Sequence, residues 1–113
     1  MQPHRYSRLN DLFEDFCTCF NDADSVYIGD VYAGGEDPID GANKERLAEG
    51  IKSRGHKKVQ ALQSPDDLGT LISTEAEEGD YIICLGAGDI TKWAYALPKQ
   101  LDDAFDAHKK KSA

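Results

Sequence analysis

The residues best suited to chemistry stand at the start of the chain. MQPHRYSR places His4, Arg5 and Arg8 within eight residues of a protein whose formal net charge is -8. Arg5 and Arg8 are three apart, so at a helix start they point the same way. Guanidinium forks match carboxylates and phosphates in a bidentate fashion. The free backbone N–H groups of a helix start would add to the same field. The chemistry implied is capture of a small anion. The competing use of these cations is surface pairing with Asp11, Glu14 or Asp15.

Two further stretches carry candidate residues. DVYAGGEDPIDG holds Asp30, Tyr32 and Ala33, and GAGDITK holds Gly86, Ala87 and Gly88. The glycine turn resembles a phosphate cradle but lacks the spacing of a dinucleotide fingerprint. Its other reading is a tight strand-to-helix turn with Asp89 as N-cap. Asp30, Glu36, Asp37 and Asp40 crowd one loop, yet their spacing fits no calcium loop, and a solvated acidic loop is the reading adopted. The three cysteines, Cys17, Cys19 and Cys84, have no metal-ligand spacing and read as small buried hydrophobes of a reducing compartment. No catalytic constellation, metal site or P-loop can be argued from the spacing.

These loops need elements to hold them. Leu9, Leu12, Phe13, Phe16, Cys17 and Phe20 give residues 9–21 one apolar helical face. Residues 25–33, SVYIGDVYA, read as a buried strand running into the second loop. Asn43 is placed to cap a helix running through Ile51, with Gly55 fitting the stop after it; KKVQAL is a short strand, and Ser64-Pro65-Asp66-Asp67 is a helix start. YIICLGAGDI reads as an apolar strand ending in the glycine turn. Trp93, Leu97, Leu101 and Phe105 form the stripe of a last helix, in which Pro98 predicts a kink or a restart.

Strands alternating with helices predict an α/β fold, a Rossmann-like three-layer sandwich with a mostly parallel sheet. Three strands make a thin sheet, and the polar opening reads as the loop after an earlier strand. In such a sheet all three candidate loops fall at the carboxyl edge, where ligands bind. The 113 residues make a single domain, with residues 106–113 expected as a flexible tail. The acidic balance argues against nucleic acid, and no run is long or apolar enough for a membrane span, so a cytoplasmic protein is expected.

Taken in order, QPHRYSR, DLFEDF, DVYAGGEDPIDG and GDYIICLGAGDITKWA resemble the C-terminal domain of the Mur ligase family, in its alanine-adding branch. The likeness runs from Gln2 to about Leu101. It implies a bacterial ATP-dependent ligase of peptidoglycan synthesis that adds L-alanine to UDP-N-acetylmuramate, with ATP and Mg²⁺ as cofactors of the full-length enzyme. By the same resemblance His4, Arg5 and Arg8 hold an amino-acid carboxylate, of L-alanine or UDP-N-acetylmuramoyl-L-alanine. Asp30, Tyr32, Ala33, Gly86, Ala87 and Gly88 would face that cleft, without assigned roles. The family's P-loop, its UDP-binding and central domains and an Asp-Tyr-x-His-His-Pro segment have no counterpart in these residues. The 113 residues alone are therefore expected to bind no cofactor and to show no ligase activity, and an unpaired sheet edge is expected to favour a homodimer. A standalone small-anion-binding module without catalysis is the alternative.

Overall fold

A computed structural model describes residues 1–112, with side chains as far as Lys109. Helices α1 (Tyr6–Asp11) and α2 (Phe13–Thr18) precede strand β1 (Val26–Ile28). Helix α3 (Lys44–Ser53) leads to strand β2 (Val59–Ala61). A 3₁₀ turn (Pro65–Asp67), α4 (Leu68–Ser73) and the long α5 (Ile90–Ser112) follow. The expected tail is helical through Ser112, and its last residue lies outside the described ones.

The β1–α3–β2 unit is a parallel pair with Val26, Tyr27 and Ile28 opposite Val59, Gln60 and Ala61. Side chains alternate across such a strand. Val26 and Ile28 accordingly enter one core with Leu9, Cys17, Leu47, Ala48 and Ile51 from α1, α2 and α3. Tyr27 packs into the other with Leu62, Leu68, Ile72, Leu97 and Trp93 beside α4 and α5. Helices thus cover both faces of β1, as the α/β reading requires.

Local signals explain the element ends. The Asn43 side chain accepts a 2.9 Å bond from the Arg46 amide, and Gly55 takes φ 105° just past α3. Ser64 caps the 3₁₀ turn through the Asp66 amide at 3.2 Å. Glycines permit two close approaches: a Cβ on Gly50 would lie 2.5 Å from Cys17 Sγ, and one on Gly69 would lie 2.5 Å from Gln100 Cβ.

The structure corrects four expectations. The first helix bends at Leu12, although Leu12 N–H still donates to Arg8 and Phe16 N–H to Leu12. Helix α5 runs through Pro98 without restarting. Of the cysteines only Cys17 is buried; Cys19 is exposed and Cys84 half-buried. Finally, residues 81–85 form no regular strand. Tyr81 is 92% exposed and Ile83 71%, because the pairing that reaches this segment is a single bond, from Gln2 N–H to Leu85 C=O at 2.9 Å.

The opening residues are not a simple loop. The Met1 nitrogen donates to Tyr27 C=O at 2.8 Å, and Met1 C=O accepts from Gly29 at 2.9 Å, so Met1 lies opposite Ile28. Further on, His4 bridges Tyr32 in the parallel sense. Three steps on one side match four on the other, which leaves one extra residue in the β1 extension, a local bulge. Residues 1–4 therefore act as strand between β1 and Leu85, and they carry the cationic cluster directly off the sheet edge.

Candidate functional site

The sheet edge brings the three predicted loops together. The His4 and Tyr32 rings stack with centroids 5.3 Å apart and 12° between planes. Gly88 also packs against Tyr32, where a Cβ would be 2.5 Å from Tyr32 Cγ. One ring from each of the first two loops and the backbone of the third thus meet at Tyr32. His4 Nδ1 is buried without a hydrogen-bond partner in the structure.

Arg5 follows directly. Its N–H donates to Tyr32 C=O at 2.7 Å, and its backbone takes φ 69°, the left-handed region. The side chain lies over Gly34, with Cγ and Nε each 3.0 Å from where a Cβ would stand. Gly34 itself has φ 60°, a backbone conformation that favours glycine. Arg5 and Arg8 line an open cleft of about 310 Å³ with Ser7, Asp11 and Leu12. Among the described residues neither guanidinium takes part in an ion pair. The surface pairing considered for Asp11, Glu14 and Asp15 is not formed: Glu14 pairs with Arg54 instead.

The remaining predicted residues sit at varying distance from this cleft. Asp30 is turned to Lys44, whose Nζ lies 2.9 Å from its carboxylate. Ala33 accepts the Glu36 N–H in the turn of the second loop. Gly86, at φ 153°, packs where a Cβ would be 2.9 Å from Gln2 C=O, and Ala87 is exposed. Asp89 contributes its backbone carbonyl to the first turn of α5. The side group that reaches the helix start is that of Gln2, whose Oε1 accepts from Ile90 N–H at 2.9 Å.

Sequence reasoning missed three residues. Gln2 caps α5 from 88 positions away. Lys44, 8% exposed, donates to Leu62 C=O at 2.8 Å as well as pairing with Asp30. Glu36 accepts from Ser7 N–H at 3.1 Å and from Ser7 Oγ at 2.5 Å. The sequence signal for Glu36 is its place in the distinctive DVYAGGE run, where the acidic-loop reading gives it no separate role. Its bonds from the Ser7 hydroxyl and amide hold its carboxyl below the usual carboxylate range, helped by Arg5. The expectation of free N–H groups at this helix start is corrected accordingly, because the Ser7 amide is occupied by a carboxylate of the same molecule.

No group of three His, Cys, Asp or Glu side chains among the described residues is placed to hold a metal ion. The sequence has no phosphate-cradling loop of the P-loop type either. No helix of the structure is long and apolar enough to cross a membrane.

The arrangement defines a class: an α/β, Rossmann-like fragment whose opening segment places Arg5 and Arg8 beside one open cleft. Comparison with known proteins makes this particular. The chain is 64% identical over 102 residues to the UDP-N-acetylmuramate–L-alanine ligase of Rhodospirillum rubrum, an overlap of 90% of these residues and 21% of that protein. It is 59% identical over 101 residues to the enzyme of the same name from Methylorubrum populi, covering 89% and 22%, and 59% identical over 102 residues to that of Rhodospirillum centenum, covering 90% and 21%. No family model matches the sequence. At these identities the chain is a homologue of part of the UDP-N-acetylmuramate–L-alanine ligases, and it spans about 21% of the length of the curated relatives it matches.

Proposed function

We propose that this chain supplies the amino-acid carboxylate site of a ligase that joins L-alanine to UDP-N-acetylmuramate. His4, Arg5 and Arg8 form the site. Arg5 and Arg8 receive the carboxylate, and the packing of His4 and Gly88 against Tyr32 fixes the backbone from which they project. The observation that carries this reading is the arginine pair itself: two guanidiniums beside one open cleft, neither in an ion pair among the described residues. In an acidic protein two guanidiniums outside ion pairs are a binding resource. The names of the curated relatives supply the substrate.

Under this reading the chain orients one reactant. Fixing the L-alanine carboxylate would leave its amine to project from the cleft, and proximity of that amine to an activated partner is the contribution such a site makes to amide formation. ATP, Mg²⁺ and the UDP-sugar would be held by parts of the ligase outside these residues. The test is calorimetric titration of the 113-residue protein with L-alanine and with UDP-N-acetylmuramoyl-L-alanine. Binding of either that Arg8→Ala abolishes is the expected result. Binding unchanged in Arg8→Ala and Arg5→Ala would remove the arginine pair from the site.

A further inference from the structure

The Glu36–Ser7 contact has no part in the carboxylate reading, yet it spans the residue on which that reading depends. Arg5 is the one non-glycine residue at positive φ among those described. Such a conformation is strained and persists only where the surroundings impose it. Two attachments of the second loop bracket it. On one side His4 bridges Tyr32, and Tyr32 C=O takes the Arg5 amide at 2.7 Å. On the other, Glu36 places one carboxylate oxygen on the Ser7 amide and the other on the Ser7 hydroxyl. Between these anchors the loop turns through Gly34 and Gly35, both at positive φ, and Gly34 passes under the Arg5 side chain.

The chemistry of the clasp is selective. Glu36 is an acid near Arg5, and an ion pair with it would fill the site from within. Instead it commits both oxygens to the neutral donors of Ser7. A carboxylate at the first turn of a helix is also favoured by the helix dipole. The acid is thereby satisfied and both guanidiniums stay outside ion pairs.

We propose that Glu36 is a positioning residue: through Ser7 it clasps the second loop to the first, imposes the left-handed backbone of Arg5 and keeps the arginine pair available for a carboxylate ligand. This rests on the opening segment being a carboxylate site, and the test separates the two claims. The isotope-labelled protein would be compared with Ser7→Ala and Glu36→Gln, reading the Glu36 carboxyl titration, the Arg5 Nε and Gly34 amide signals, and the affinity for L-alanine. Unmoved methyl signals of Leu9, Ile28 and Leu47 confirm that each variant keeps its core.

In the unsubstituted protein Glu36 is expected to titrate below the other exposed carboxylates, and in Ser7→Ala to return to their range. In both variants the Arg5 Nε and Gly34 signals move, and L-alanine affinity falls about fivefold, the size of one lost hydrogen bond. Glu36 titrating with the other carboxylates in the unsubstituted protein overturns the clasp. So do Arg5 and Gly34 signals indifferent to both variants, or L-alanine affinity indifferent to both. Absence of L-alanine binding to the unsubstituted protein, with the Glu36 and Arg5 signals behaving as expected, sinks the carboxylate reading and leaves the clasp standing.

Discussion

Gly88 has no room for a methyl group, and the atoms it would strike are Cγ, Cδ2 and Cβ of Tyr32, the last 2.9 Å away. These lie at the near end of the side chain, so a rotamer change does not relieve the clash cheaply. Gly88→Ala is expected to destabilise the fold by about 1–3 kcal/mol, read as a lower urea midpoint with displaced Tyr32 and His4 ring signals. An unchanged midpoint would mean that the stack is not tightly packed. This glycine was legible in the sequence as a residue with a reason to be glycine, and both the tight-turn and the site readings named it. What the sequence could not supply was the ring it faces, since residues 32 and 88 meet only in the folded state. The same limit applied to Glu36: its type was visible, but its partner Ser7 lies 29 positions away.

Among the elements, α3 shows how a charged residue can hold structure together. Lys44 opens the helix, is 8% exposed, and bonds Leu62 C=O just after β2 as well as Asp30 beyond the end of β1. Asp30 is 74% exposed at its side chain, so the ion pair itself contributes little. The buried carbonyl contributes more, because losing its donor leaves it unsatisfied at a cost of about 1–3 kcal/mol. Lys44→Met, which keeps the aliphatic stem, is expected to destabilise by that amount in urea unfolding, and Asp30→Asn by much less. Equal effects of the two would assign the stabilisation to the ion pair instead. Period and caps made α3 readable almost to its ends, from Asn43 to Gly55. They failed at Leu12, where the hydrogen bonds run on although the backbone bends; at Pro98 the helix does not restart, and α5 packs against α4.

For the whole molecule, the sheet is strong on one side and open on the other. Val26 N–H is bonded to Lys58 C=O at 2.9 Å and Leu62 N–H to Ile28 C=O at 2.7 Å, within the buried layers. Tyr81 to Cys84 make no backbone–backbone bond among the described residues. Hydrogen exchange should therefore be fast at Tyr81–Cys84 and slowest at Val26, Ile28 and Leu62. Slow exchange at Ile82 and Ile83 would show that this segment is paired in solution. The apolar run YIICL is what made a third strand the natural expectation from sequence. A run of apolar residues predicts burial, but burial needs a neighbour, and here Gln2 alone reaches it.

The central claim is that the arginine pair binds a carboxylate of an amino acid. The most direct measurement follows the amide signals of the 113-residue protein during titration with L-alanine and, separately, with L-alaninamide, which keeps the amine and methyl but lacks the carboxylate charge. Shifts at residues 4–8 and 32–36 with L-alanine, absent with L-alaninamide and absent in Arg8→Ala, are the predicted result. Equal shifts with both compounds, or none with L-alanine at any concentration, would contradict it.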